Sequence, residues 1–294
     1  MLSQKSYLKT GPCLYLVPTP IGNLDDMTFR AVQILQDVNM ILAEDTRKTG
    51  FLLKHFQIDR PLQSFHDHTT SAQVDRWLAY IQEGRQVALV SDAGMPLIND
   101  PGHPLVQALL AAEISVIALP GANAALTALI ASGLPANQFT YYGFFPRQKK
   151  EQEDLLNGIG QIKHTAIFYE SPYRLLNSLK RVGQVLGVDC QVVVAREITK
   201  KFEEYLRGTC QQLIEQVQEH GIKGECVLLI ESEGQISKET FAEELDYRSH
   251  VESLMEEQEM TAKEAIKEVA RLRQVKKQVV YAAYHGLDQK GANE

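Results

Sequence analysis

Short apolar runs alternate with helical patterns through residues 13–132, and this alternation constrains the fold more than any other feature of the chain. Runs such as Cys13–Val17 have the length and apolar character of strands buried on both faces. Between such runs, apolar residues recur at helical spacing, as Ala31 and Leu35 do. Strands alternating with helices build a parallel sheet covered by helices. The predicted strands are Cys13–Val17, Met40–Ala43, Val87–Val90 and Ser115–Leu119, and the predicted helices are Met27–Val38, Arg47–Phe56, Ala72–Glu83 and Pro104–Ala112.

A second series of strands and helices follows the loop around Pro135. Val192–Ala195 and Glu203–Leu206 have no helical pattern between them, which predicts a hairpin and therefore a mixed sheet. The fold class is thus predicted as two tandem α/β domains with a cleft between them, over residues 1–135 and 136–232. The other predicted strands here are Phe139–Gly143, Thr165–Tyr169 and Cys226–Ile230, and the helices are Tyr173–Leu186 and Gln211–His220.

The last part of the chain is helical and unevenly charged. Residues 231–259 contain 2 basic and 10 acidic side chains, whereas residues 260–277 contain 6 basic and 2 acidic ones. Thr261 followed by Glu264 is a capping-box pattern. We expect residues 233–294 to form a small C-terminal helical domain of helix-turn-helix type.

The basic patch of this helical domain faces either solvent or a phosphate backbone. A net charge of −7 for the whole chain argues against non-specific coating of nucleic acid. A local basic patch is nevertheless compatible with binding one structured RNA site. The candidate RNA-binding residues are Lys263, Lys267, Arg271, Arg273, Lys276 and Lys277.

Composition excludes several other classes of protein. The apolar runs are far shorter than the ~20 residues of a membrane-spanning helix, and the first residues lack the apolar core of a secretion signal. The 4 cysteines, none in a C-x-x-C pattern, fit a reducing cytoplasm without a disulfide framework or structural zinc. His66 and His68 lie two residues apart with no further ligands at recognisable spacing, so no metal site is expected. We expect a cytoplasmic protein that does not bind membranes.

Three loops follow predicted strands of the first domain, where open α/β sheets build their ligand crevice. The loop over residues 18–26 is a stiff turn without the G-x-G-x-x-G pattern, so a Rossmann nucleotide site is not predicted. In Ala43–Thr49, the carboxylates Glu44 and Asp45 either cap the next helix, pair with Arg47 or take part in catalysis. The third loop, Ser91–Gly102, is rich in glycine, proline and aspartate. Its aspartates either bind ribose hydroxyls or hold turns.

The chain resembles the ribosomal RNA small subunit methyltransferase I family, within the tetrapyrrole-methylase-like S-adenosylmethionine enzymes. Five ordered motifs carry the resemblance, namely YLVPTPIGNLDDMTFRA, AEDTRKTG, SDAGMPLINDPG, YESPYR and AREITKKFEE. It spans about residues 11–232. It implies two α/β domains with S-adenosylmethionine in the cleft between them, usually as a homodimer. It also implies methylation of the ribose 2′-hydroxyl of a cytidine in the decoding region of 16S ribosomal RNA.

The resemblance also implies which residues contact the cofactor. The family usually has a serine in the turn 120–124 and a threonine where Met95 stands, so backbone contacts are expected at these two places. The positions carried over are Pro18, Thr19, Pro20 and Gly22; Asp92, Ala93, Gly94, Met95 and Pro96; Ala122, Asn123 and Ala124; and Tyr169, Glu170 and Glu225.

Removing the proton from a ribose hydroxyl needs a base or a cation that steadies the developing alkoxide. Asp45 or Glu44 is a candidate base or orienting group, and His66 is an alternative base. Arg47 and Lys200 are candidate cationic stabilisers or phosphate anchors. Two competing functions stay open, namely methylation of a small tetrapyrrole and a non-catalytic RNA-binding role in ribosome assembly.

Overall fold

The computed structural model describes residue 4 and residues 11–66, 70–234, 246–258, 260–273 and 275–286. The chain divides into two compact units. The first, called the cleft unit below, comprises Met1–Glu153 and Thr165–Glu231, and the second, called the helical unit, comprises Asp154–His164 and Ser232–Glu294. The predicted fold class is confirmed, with two α/β sheets followed by helices. The predicted domain limits at 135 and 232 stay a prediction.

The first sheet is parallel in every strand pair described, as the alternation of strands and helices predicts. Its strands are β1 (Cys13–Val17), β2 (Met40–Ala43), β3 (Leu62–Ser64), β4 (Gln86–Val90) and β5 (Ser115–Ala118), in the order β3-β2-β4-β1-β5. Alternate residues of β1 enter opposite cores. Tyr15 packs in the cluster that contains Leu35, and Leu14 packs in the one that contains Trp77 and Leu105. Burial of both faces explains the continuous apolar run.

Four of the five α-helices described in this half begin at a polar capping residue. The five helices are α1 (Phe29–Asp37), α2 (Thr46–His55), α3 (Ser71–Gln82), α4 (His103–Ala111) and α5 (Ala124–Ser132). Thr28, Asp45, Thr70 and Asn123 each accept a hydrogen bond from a backbone N–H of the first turn. Since the strands are parallel, the loops that lead from β1, β2, β4 and β5 lie at one edge of the sheet, where the candidate motifs are.

The second sheet is mixed. Its strands are β6 (Phe139–Phe144), β7 (Lys163–Glu170), β8 (Gln191–Arg196), β9 (Glu204–Thr209) and β10 (Cys226–Glu233), in the order β6-β7-β10-β8-β9. The predicted hairpin is confirmed, because β8 pairs antiparallel with β9. The helices are α6 (Lys149–Gly160), α7 (Pro172–Leu186) and α8 (Cys210–His220). Leu129 of α5 packs with Ile167 and Leu229 of this sheet, so α5 joins the two halves of the cleft unit.

The C-terminal helices are α9 (Tyr247–Gln258), α10 (Ala262–Leu272) and α11 (Lys277–His285). Ile266 and Val269 of α10 are buried in one cluster with Val251 and Val280. The predicted capping box at Thr261 is confirmed. None of the helices in the described part of the chain combines the length and the hydropathy needed to cross a bilayer.

Candidate active site

The loops after β1 and β4 are joined by their backbones. Thr19 and Gly94 exchange two N–H···O bonds of 2.9 Å each. The Thr19 hydroxyl donates to the Ser91 carbonyl at 3.1 Å, and the Ser91 hydroxyl donates to the Gly94 carbonyl at 2.8 Å. Gly94 has a φ of +84°, a conformation that strains residues with a side chain. Both loops are therefore held rigidly at the carboxyl edge of the first sheet.

Asp45 has the structural roles that its position predicts. Its carboxylate accepts the Arg47 N–H at 2.8 Å, which caps α2, and it also forms an ion pair of 2.8 Å with the Arg47 guanidinium. The hydrogen bonds from Arg47 lower the pKa of Asp45 to about 2. A carboxylate with so low a pKa is a weak base at neutral pH. The backbone N–H of Asp45 donates to Asp92 at 3.0 Å, which links the loops after β2 and β4.

Lys48 is a residue of this edge that sequence reasoning missed. Its ammonium lies 2.7 Å from the Asp92 carboxylate, and the hydrogen bond raises the pKa of Lys48. Asp92 therefore accepts one hydrogen bond from Lys48 of α2 and one from Asp45, the residue that caps α2. The only signal in the sequence is that Lys48 is the second cation of AEDTRKT, and nothing there distinguishes it from a solvated helix residue.

The second sheet contributes a buried carboxylate to the same unit. Glu170 is 3% exposed and accepts hydrogen bonds from the Ser171 N–H at 2.7 Å and from the Ser178 hydroxyl. The Arg174 guanidinium lies 3.3 Å from it. Next to it, burial raises the pKa of Tyr169, so the phenol stays neutral and can donate a hydrogen bond.

Lys200 lies in the turn between β8 and β9 and forms ion pairs with Glu197 at 2.9 Å and Glu225 at 2.8 Å. Burial opposes its charge, but the two carboxylates outweigh burial and raise the pKa of Lys200. Thr199 has a φ of +67°, in the left-handed region that residues with a side chain rarely adopt. Gly22 faces this turn, where a Cβ atom would collide with the Lys200 side chain. The loop after β1 therefore needs a glycine at position 22.

A cavity of about 580 Å³ lies between the two halves of the cleft unit. Most of the predicted cofactor residues after β4, after β5 and in the second sheet line it. Predicted residues that line it are Glu44, Asp92, Ala93, Gly94, Met95, Asn123, Ala124, Tyr169, Glu170 and Glu225. Thr19, Pro20 and Gly22 line a neighbouring smaller cavity. Among the described residues, neither lining includes Pro18, Asp45, Arg47, His66, Pro96, Ala122 or Lys200. His68 lies outside the described residues.

The lining of the larger cavity suits a cationic ligand with an apolar ring. Five carboxylates and one ammonium group line it, so its electrostatic potential favours positive charge. The apolar lining comes from Ile21, Met95, Ile98, Ile198 and Val227. Its volume falls within the roughly 300–1,000 Å³ of pockets for small molecules and cofactors. Asn99 and Phe144 also line it, and sequence reasoning missed both.

The fold is that of known methyltransferases. The structure is similar to that of uroporphyrin-III-C-methyltransferase from Thermus thermophilus, with a TM-score of 0.54 and 20% identity, covering 78% of this chain and 98% of that one. It is also similar to diphthine synthase, with a TM-score of 0.58 and 10% identity, covering 75% and 90% of the two chains. At such identities the likeness establishes the fold alone.

Sequence relatives are far more similar. The chain is 45% identical to ribosomal RNA small subunit methyltransferase I of Streptococcus pyogenes serotype M3, over 98% of this chain and 100% of the relative. It is 46% identical to the Bacillus subtilis protein of the same name, over 92% and 94%. Residues 13–214 match the tetrapyrrole (corrin/porphyrin) methylases. The chain belongs to the tetrapyrrole methylase family and, within it, to the ribosomal RNA small subunit methyltransferase I proteins.

Proposed function

We propose that the protein transfers a methyl group from S-adenosylmethionine to the ribose 2′-oxygen of a cytidine in the decoding region of 16S ribosomal RNA. The observation that carries the proposal is the 45% identity, over nearly the whole of both chains, to relatives named for methylation of small-subunit ribosomal RNA. The acidic cavity at the carboxyl edge of the first sheet supports it, because its charge and volume suit this cofactor.

The cavity residues fit S-adenosylmethionine by their chemistry. Carboxylates such as Asp92 and Asp100 are acceptors for ribose hydroxyls, and Glu170 and Glu225 add negative charge near an ammonium or sulfonium group. Lys200 forms an ion pair with Glu225, which lines the cavity. When bound, the cofactor supplies an electrophilic methyl group whose bond to sulfur breaks as the acceptor oxygen bonds to it, with the bonding electrons remaining on sulfur.

The chain must also accept the hydroxyl proton. Of the three candidate bases, Glu44 alone lines the larger cavity, whereas Asp45 is paired with Arg47 and His66 is not part of the lining. We therefore assign the proton to the Glu44 carboxylate. General-base catalysis of this kind contributes roughly 10²–10⁴-fold to the rate.

The helical unit supplies RNA affinity in this proposal. Lys263, Lys267, Lys276 and Lys277 have exposed side chains, and the first two lie on the solvent-exposed side of α10. Exposed lysines contribute mainly by neutralising phosphates.

We further propose that the protein is cytoplasmic and forms a homodimer. The homodimer is supported by large apolar side chains left exposed in the cleft unit, such as Phe29 at 97% and Ile130 at 79%.

Methyl transfer from radiolabelled S-adenosylmethionine tests the proposal. Purified protein is incubated with small ribosomal subunits that lack the modification, with naked 16S RNA, or with uroporphyrinogen III. We expect label in one or both RNA samples and none in the tetrapyrrole. Label in the tetrapyrrole alone contradicts the RNA assignment. No transfer to any of the three, with the cofactor bound by calorimetry, indicates a non-catalytic protein.

A further inference from the structure

A second, smaller cavity adjoins the cofactor cavity. It has a volume of about 260 Å³ and lies between the loop after β1, the start of α2 and the end of β4. Two residues, Lys48 and Asp92, line both cavities, so the two meet at this ion pair. The remaining lining residues are Thr19, Pro20, Gly22, Leu24, Thr49, Phe51, Leu52 and Ser91.

The smaller cavity suits one flat ring. Its volume lies below the roughly 300–1,000 Å³ typical of pockets for drug-sized ligands and cofactors. A four-ring tetrapyrrole is therefore too large to be enclosed there, whereas a pyrimidine base is of suitable size. Leu24 and Leu52 make much of the lining apolar, and Phe51 leaves 78% of its surface in solvent. Aromatic side chains exposed beside a polar site are common platforms on which bases stack.

Lys48 is placed to act where the two cavities meet. Asp92 holds its ammonium at 2.7 Å, and Asp92 is itself fixed by the N–H of Asp45 at 3.0 Å. The Lys48 side chain is nevertheless 65% exposed, so its ammonium can reach a ligand while it stays near Asp92. An ammonium that remains charged at neutral pH cannot serve as the base, but it can donate a hydrogen bond to an oxygen that gains negative charge.

We propose that the smaller cavity receives the pyrimidine base of the nucleoside to be methylated, stacked on Phe51, and that Lys48 donates a hydrogen bond to the ribose 2′-oxygen of that nucleoside. The assignment rests on the function proposed above. It goes beyond that function by assigning a binding site to the substrate base and a hydrogen-bond donor to the reacting oxygen. The cofactor site alone predicts neither. The proton still goes to Glu44, and Lys48 keeps its own protons throughout.

Two pairs of matched variants of the full-length protein test the assignment. Phe51→Ala is compared with Tyr173→Ala, which removes an exposed ring that lines neither cavity, and Lys48→Gln is compared with Lys54→Gln, an exposed cation of the same helix. Steady-state methylation of small ribosomal subunits gives KM and kcat, calorimetry gives the Kd for S-adenosylmethionine, and thermal melting checks the fold.

We expect Phe51→Ala to raise KM for the subunit by about tenfold, and Lys48→Gln to lower kcat by about 10²-fold. The cofactor Kd should stay within about twofold of wild type in Phe51→Ala, and both controls should behave as wild type. Normal KM in Phe51→Ala or normal kcat in Lys48→Gln overturns the assignment. Equal loss of cofactor binding in both variants also overturns it, because the smaller cavity would then belong to the cofactor. Wild-type protein that methylates no RNA instead overturns the proposed function, and this assignment with it.

Discussion

The cleft unit and the helical unit hold their charged side chains in different ways. In the cleft unit, Asp92 accepts hydrogen bonds from Lys48 and Asp45, and Lys200 lies between two carboxylates. In the helical unit, Lys263 and Lys267 extend from an exposed helix face. The first arrangement holds charges in ion pairs at defined positions, whereas the two lysines of α10 present their charge to solvent.

This difference corresponds to the two roles proposed for the units, methyl transfer in the cleft unit and RNA binding in the helical unit. Methyl transfer requires reacting groups held in alignment, and fixed ion pairs provide that alignment. Phosphate neutralisation requires only nearby cations, and exposed lysines provide those. The structure also divides the six candidate RNA-binding residues themselves. Arg271 pairs with Glu268, and Arg273 stacks on Tyr247 and donates to His250, so these two arginines also support the helices.

The largest expected effect is on kcat, and it should distinguish Glu44 from its neighbour Asp45. Glu44→Gln should lower kcat for RNA methylation by about 10²-fold or more, because it removes the proposed proton acceptor. Asp45→Asn should change kcat by less than about threefold, because asparagine caps a helix as well as aspartate does. Radiolabel transfer at saturating cofactor measures both. Equal losses in the two variants, or normal turnover of Glu44→Gln, would remove Glu44 from the proposed mechanism.

The next effect concerns stability in the cleft unit. Glu170→Ala leaves Arg174 and the Ser178 hydroxyl without their buried acceptor, so the free energy of unfolding should fall by about 3 kcal/mol. The Glu153 side chain is 47% exposed, so Glu153→Ala, which breaks its ion pair with Arg181, should cost less than about 1 kcal/mol. Urea unfolding followed by circular dichroism measures the difference. Similar costs for both variants would show that the Glu170 cluster does not stabilise the cleft.

The smallest effect is expected from the helical unit. Replacing Lys263 and Lys267 together by alanine should weaken binding to the small subunit by about fivefold near physiological salt, with a shallower salt dependence. The cofactor Kd should not change. Replacing Lys180 and Lys223, two exposed lysines of the cleft unit, removes the same charge as a control. Filter binding at several salt concentrations measures both, and equal losses would contradict a specific role for the α10 face.

Substitution is the appropriate test here, since truncation near Gly234 would remove more than a tail. The helical unit includes Asp154–His164, and the Ser232 hydroxyl donates to the Ile159 carbonyl at 2.8 Å. A chain ending at Gly234 would leave that segment without most of its own compact unit. The acidic stretch that begins at residue 231 marks a change in charge along the sequence, but it could not show this contact.

The sequence predicts strands that contain several apolar residues, and it misses elements whose apolar pattern is weak. The run CLYLV predicted β1 correctly, because both of its faces pack in apolar cores. In contrast, β3 (Leu62–Ser64) was not predicted, because it is only three residues long and has one apolar residue. The helix α6 was also missed, since its charged first turns and Gly158 give a weak helical signal.

The candidate site followed from the sequence only in outline. Strand-end loops predicted where a cleft would be, and the resemblance identified Asp92 and Glu170, which do line the cavity. The partner of Asp92 could not be predicted, because Lys48 lies 44 positions away along the chain. Lone lysines in polar helices are ordinary in sequence, and only the fold shows which of them faces an aspartate.

Mapping of ribose methylation in 16S RNA decides whether the protein is the proposed cytidine 2′-O-methyltransferase. Small subunits that lack the modification are treated with the purified protein and S-adenosylmethionine, and the RNA is digested and analysed by mass spectrometry and primer extension. We expect one new 2′-O-methylcytidine in the decoding region, absent when Glu44→Gln replaces the wild-type protein. A methyl group on a base, a methyl group outside that region, or unmodified RNA would contradict it.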